Sequence, residues 1–73
     1  MIPTINVEET GMQIDVLIHE SEYSVRDISE KLGFATPRAV YQWMDGTYLP
    51  KLEHLVALAA ILNVSIDDIL VVE

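Results

Sequence analysis

Three residues suited to left-handed backbone, Gly33, Gly46 and Asn63, cut most of this chain into apolar segments too short for anything but a cluster of small helices. Each stop is followed by a fresh start. Ser24 with Asp27, Thr36 with Pro37, and Ser65 with Asp67 and Asp68 are helix-opening combinations, in which a side-chain oxygen takes a free amide proton of the first turn. Helical spacing of Val25, Ile28 and Leu32 predicts a helix over 25–32. Val40, Trp43 and Met44 predict one over 37–45, with Trp43 in the core. Leu52 to Leu62 forms the most apolar segment, and Ile66, Ile69 and Leu70 a short last helix, with Val71 and Val72 either extending it or sealing the edge of the core. Upstream, Thr10 and Gln13 have capping-box spacing ahead of Ile14, Leu17 and Ile18, which predicts a first helix from about Gly11 to Glu20. Residues 1–9, with Pro3 and the alternation Ile5-Asn6-Val7, read as an extended arm or edge strand. The expectation is an all-α protein of five short helices: an arm over 1–9 and one domain over 10–73.

A chain of 73 residues without cysteine has neither disulfides nor thiolate-held metal to support it, so its aliphatic core, or association with a second chain, must. Leu52, Leu55, Leu58, Ala59 and Leu62 can line one face of the fourth helix, which leaves Val56, Ala57, Ala60 and Ile61 over. A helix apolar nearly all round needs cover on both sides, and those four residues are the expected homodimer interface. The longest apolar run, Leu55 to Leu62, is far short of the roughly 18 residues of a membrane span. The first basic residue is Arg26, too late for the positive start of a secretory segment. A cytoplasmic protein without membrane contact is expected.

The net charge of −8, from 12 acidic and 4 basic residues, at first sight opposes binding to phosphate. The distribution is uneven. Residues 1–25 hold Glu8, Glu9, Asp15, Glu20 and Glu22 without a base, and residues 52–73 hold Glu53, Asp67, Asp68 and Glu73, again without one. Arg26, Lys31, Arg38 and Lys51 all fall between them, so the middle third is the part suited to an anionic partner.

Two very short helices joined by Gly33-Phe34-Ala35-Thr36 have the dimensions of a helix-turn-helix. The segments Ser24-Val25-Arg26-Asp27-Ile28-Ser29-Glu30-Lys31-Leu32-Gly33, Ala39-Val40-Tyr41-Gln42-Trp43-Met44-Asp45-Gly46 and Leu49-Pro50-Lys51-Leu52-Glu53-His54-Leu55, with the run from Leu58 to Leu70, resemble the Cro/lambda-repressor-like, Xre-type family. The resemblance covers roughly residues 12–70 and rests on the ordered set rather than on any one piece. It departs from the family at Val25, where Gln often holds a phosphate, at Ser29, where Ala is common, at Met44, where Glu is usual, and in a turn one residue longer, with Ala35 as the added residue. The resemblance implies a DNA-binding transcription regulator, of repressor type, acting as a homodimer on double-stranded DNA. It places Thr36, Arg38, Tyr41 and Gln42 on base edges, and Ser24, Arg26 and Lys51 on phosphates. Arg38 suits guanine O6 and N7, and Gln42, one turn on, suits adenine. Tyr41 either donates its hydroxyl to a phosphate or packs on a thymine methyl, or is a half-buried ring closing the core. Lys31 reads as a solvated surface charge.

No catalytic constellation can be assembled. His19 and His54 are the only imidazoles, without metalloprotease spacing, a glycine-rich phosphate loop or a nucleophile elbow, and no catalytic residue, metal or cofactor is expected. His19 beside Glu20 and Glu22 reads as a solvated helix end, and His54 as a surface or interface residue. The competing reading is an acidic protein-binding module on the same scaffold, an antitoxin, anti-repressor or accessory protein whose carboxylates meet a basic surface.

Overall fold

Two of the expected cap signals, at Ser24 and Ser65, reappear as hydrogen bonds in a computed structural model that describes residues 2–73. The helix expected from Pro37 starts instead at Arg38, with Pro37 at its cap position and no side-chain cap bond. The five helices are α1 (Val7–Glu20), α2 (Val25–Lys31), α3 (Arg38–Met44), α4 (Leu52–Leu62) and α5 (Ile66–Ile69). Ser24 Oγ accepts the Asp27 amide proton while the Asp27 carboxylate accepts that of Ser24, and Ser65 and Asp68 repeat the exchange at α5. These bonds hold the carboxyls of Asp27 and Asp68 below the ordinary aspartate range. Gly33 (φ 84°), Gly46 (φ 81°) and Asn63 (φ 57°) take the left-handed conformation just past α2, α3 and α4.

The start of α1 differs from the sequence expectation. The helix begins at Val7, four residues ahead of Gly11, because Asn6 caps it by accepting the Glu9 amide proton at 2.9 Å. The extended arm is correspondingly shorter than 1–9. What remains pairs with the other end of the chain through an antiparallel bridge between Ile5 and Val72, flanked by the Asn6 amide to the Val71 carbonyl and the Glu73 amide to the Thr4 carbonyl, each 2.8 Å. Val72 therefore pairs with the N-terminal arm instead of extending α5, and at 60 % exposed it does not seal the edge of the core.

Thr10 is not a cap. It is fully buried, and its Oγ1 accepts the Val71 amide proton at 3.0 Å, tying α1 to the C-terminal segment. Thr10→Val keeps the volume but leaves that amide unpaired, at an expected cost of about 1–3 kcal/mol. Urea unfolding should show a lower midpoint with unchanged slope for Thr10→Val and a smaller loss for Thr10→Ser, which restores the acceptor.

Ile14, Ile18, Ile28, Val40, Trp43, Leu55, Leu58, Ala59 and Ile69 form the core, with every helix contributing. α1 packs against α3 and α5, α2 against α3, and α4 against α5. Gly11 is where α1 and α3 come closest. A Cβ there would lie inside contact distance of the Trp43 carbonyl oxygen and 2.9 Å from both Gly46 N and Met44 O. Gly46 is constrained twice, since its positive φ disfavours a side chain and an added Cβ would stand 3.0 Å from Glu8 Cα. Leu52, expected on the core face of α4, is instead 75 % exposed, because the core-facing stripe runs through Leu55, Leu58, Ala59 and Leu62.

Candidate nucleic-acid interface

The register of α3 is fixed from inside. Val40 and Trp43 are buried and Ala39 and Met44 are packed against the same core, so the helix turns Arg38 and Tyr41 outward, with Gln42 half-buried beside them. Tyr41 is 53 % exposed, which favours an outward-facing ring over one that closes the core. The turn before α3 is held by the Gly33 amide to Glu30 O at 3.0 Å and the Phe34 amide to Ser29 O at 2.9 Å. Ser29, where the family commonly has alanine, is buried and satisfies its hydroxyl by donating to Val25 O at 2.9 Å, so α2 admits it without an orphaned polar group. Ala35 and Thr36 are exposed at the tip of the turn.

Beyond α3 the chain is tied back to it. The Gln42 carbonyl accepts amide protons from Thr47 (3.0 Å) and Tyr48 (3.3 Å), and Asp45 Oδ1 accepts the Thr47 amide proton at 3.0 Å. Two shallow hollows result on either side of Gln42. One, of about 250 Å³, is bordered by Thr36 and Arg38; the other, of about 380 Å³, by Tyr48, Lys51 and His54. Phe34, Ala39 and Gln42 line both, so Arg38 and Lys51 flank one continuous surface.

His54 plays a part that its spacing did not suggest. Its ring stands edge-on to Phe34 at 4.9 Å and tilted against Trp43 at 5.9 Å, and Phe34 is itself edge-on to Trp43. The three rings connect the turn, α3 and the start of α4. A loop-borne aromatic at Phe34, between two helices that both need cover, was the available signal.

The electrostatics are simple. Among the described residues the one ion pair joins His19 Nδ1 to Asp15 Oδ1 at 2.6 Å. Hydrogen bonding and the Asp15 charge raise the His19 pKa above its ordinary 6.5. Arg26, Lys31, Arg38 and Lys51 therefore make no ion pair despite 12 acidic residues in the chain. Lys31 sits 5.0 Å over the Tyr23 ring and borders an acidic hollow with Glu22, Asp27 and Glu30, separate from the α3 surface. Ser24 has its backbone amide and an Oγ lone pair committed to the cap, and only the hydroxyl proton is left to give. Thr36 Oγ1 accepts the Arg38 amide proton at 3.4 Å. Of the expected dimer residues, Val56 and Ala60 are exposed, Ala57 is half-buried, and Ile61 packs against its own core. No group of three or more His, Asp or Glu side chains gathers into a metal-binding arrangement among the described residues.

Two short helices joined by a glycine turn, the second turned outward between free cationic side chains, define a helix-turn-helix protein of the DNA-binding class. A helix-turn-helix family model matches residues 17–69, and the chain belongs to that Xre/lambda-repressor-like family. No curated protein and no solved structure matches it. No helix among the described residues is long and apolar enough to cross a membrane.

Proposed function

We propose that this protein is a repressor-type transcription regulator that binds a two-fold operator as a homodimer. α3 lies in the major groove, with Arg38 and Gln42 on base edges and Thr36 and Tyr41 beside them. Arg26 and Lys51 hold phosphates on either side, joined by the Ser24 hydroxyl. The observation that carries this reading is that, among the described residues, Arg38 and Lys51 make no ion pair in so acidic a chain and flank one surface across Gln42. Unpaired cations next to an outward helix suit phosphate, whereas a structural role would have paired them.

Magnitudes favour the dimer. Two cationic phosphate contacts per chain, Arg26 and Lys51, give a slope of log affinity against log salt near −2, and two chains give about −4. Two copies of α3 would meet half-sites about 34 Å apart. The stretch from Leu55 to Ile66, without a titratable side chain, supplies a face on which two copies of net charge −8 can approach.

The test is affinity selection from sheared genomic DNA at low salt, with Arg38→Ala run alongside. A short two-fold motif, enriched by the wild type and lost in the variant while its helicity is unchanged, is the expected outcome. Enrichment of no motif by a folded dimer would overturn the reading.

A further inference from the structure

Two apolar stripes remain uncovered on this surface, and they differ in charge. Leu52, Val56 and Ala60 follow one another along α4 at single-turn spacing with one carboxylate, Glu53, near the first. Met12 and Val16, 63 % and 48 % exposed, stand one turn apart on α1. At 100° per residue, Glu9, Gln13 and Glu20 fall on one side of that pair and Glu8, Asp15 and His19 on the other. No lysine or arginine occurs in residues 1–25 to neutralise them. The opposite face of α1 carries Thr10, Gly11, Ile14 and Ile18, which are buried against the rest of the domain, so the Met12–Val16 stripe is turned away from α3.

We propose that the outer face of α1 docks a basic amphipathic helix of a partner protein. Its apolar side covers Met12 and Val16, and its lysines or arginines meet Glu8, Glu9 and Glu20, Asp15 being already paired with His19. Charge selects this occupant. A second copy of the chain would set carboxylates against carboxylates, and an anionic membrane or nucleic acid would be repelled by the same groups. A neutral helix would bury the stripe but desolvate the flanking charges without pairing them. A basic helix satisfies both, reading the stripe through residues spaced three and four apart, and the flexible Met12 side chain can adapt to what it meets. The contrast with α4 is informative, since an apolar stripe almost free of charge suits self-association and an acid-flanked one does not. Because the stripe faces away from α3, this inference stands or falls separately from DNA reading.

The probe is a synthetic helix of leucines and lysines with the leucines on one face. Two controls accompany it: the same composition scrambled so that no apolar face forms, and the same pattern with glutamate for lysine. Backbone amide shifts of the full chain are followed during titration. The amphipathic lysine peptide is expected to shift amides of 8–20 and to bind roughly tenfold more tightly than the scrambled one, a difference of about 1.4 kcal/mol. A Met12→Ser, Val16→Ser double variant, altered only at exposed positions, should lose that margin with its thermal midpoint unchanged, and the glutamate peptide should not bind. Equal binding of amphipathic and scrambled peptides would mean general charge attraction and would overturn the proposal. So would shifts centred on α4 or on Glu22, Asp27 and Glu30, or sedimentation showing that the double variant abolishes a dimer of the wild type, which would make the occupant a second copy.

Discussion

Gly11→Ala is expected to lower the midpoint of urea unfolding, although alanine is the better helix former by about 1 kcal/mol. The added Cβ would meet the Trp43 and Met44 carbonyl oxygens and the Gly46 nitrogen, all of them backbone. None can swing aside. Trp43 is buried against Phe34 and His54, and the chain after α3 is held by the Thr47 and Tyr48 amides on the Gln42 carbonyl. Relief requires α1 to back away from the end of α3, which opens the core around Ile14 and Val40. Overpacking costs typically 1–3 kcal/mol and more where the obstacle is rigid, against a total near 4–11 kcal/mol for a domain of this length. The steric term therefore exceeds the propensity gain. Urea unfolding followed by circular dichroism measures the balance, and a higher midpoint for Gly11→Ala would mean that the two helices do not approach as described.

That contact shows what a single sequence conveys and what it withholds. The ends of α2, α4 and α5 were legible because their determinants are local: Ser24 with Asp27 and Ser65 with Asp68 act within three residues, and Gly33 and Asn63 act through their own φ. The outward face of α3 was equally legible, since fixing Val40 and Trp43 inward leaves Arg38 and Tyr41 nowhere else to go. The start of α1 was not. Thr10 and Gln13 imitate a capping box, but the Thr10 hydroxyl is engaged by Val71, distant in sequence, and Asn6 with Glu9 does the capping. Gly11 looked like a beginning when it is a point of close approach, which only the placement of α3 reveals. On α4, periodicity cannot choose between faces that are both apolar, so Leu52 was assigned inward and Ile61 outward, the reverse of where they lie. The ring contacts of His54 are not legible locally, because its partners, Phe34 and Trp43, come from elsewhere in the chain.

The corrected faces of α4 determine where the proposed dimer should be tested. Val56→Asp is expected to give a folded monomer whose DNA affinity falls by orders of magnitude, with the salt slope dropping from about −4 towards −2 as half the phosphate contacts are lost. Val56 is 53 % exposed, so an aspartate at that position costs a single chain little. In a two-fold seam the same aspartate would be covered in both copies at once, near Glu53 on its own helix and without any base between 52 and 73 to pair with it. Ile61→Asp cannot make this distinction, because Ile61 packs against its own core and its loss would unfold the chain before it separated two of them. Sedimentation equilibrium reports the assembly, thermal unfolding reports the fold, and DNA titration at two salt concentrations reports the number of phosphate contacts. A Val56→Asp protein that remains dimeric would exclude the exposed face of α4 as the seam. A monomer that kept the full salt slope would show that one chain makes all the contacts, and pairing of half-sites would then have no part in how this protein holds DNA.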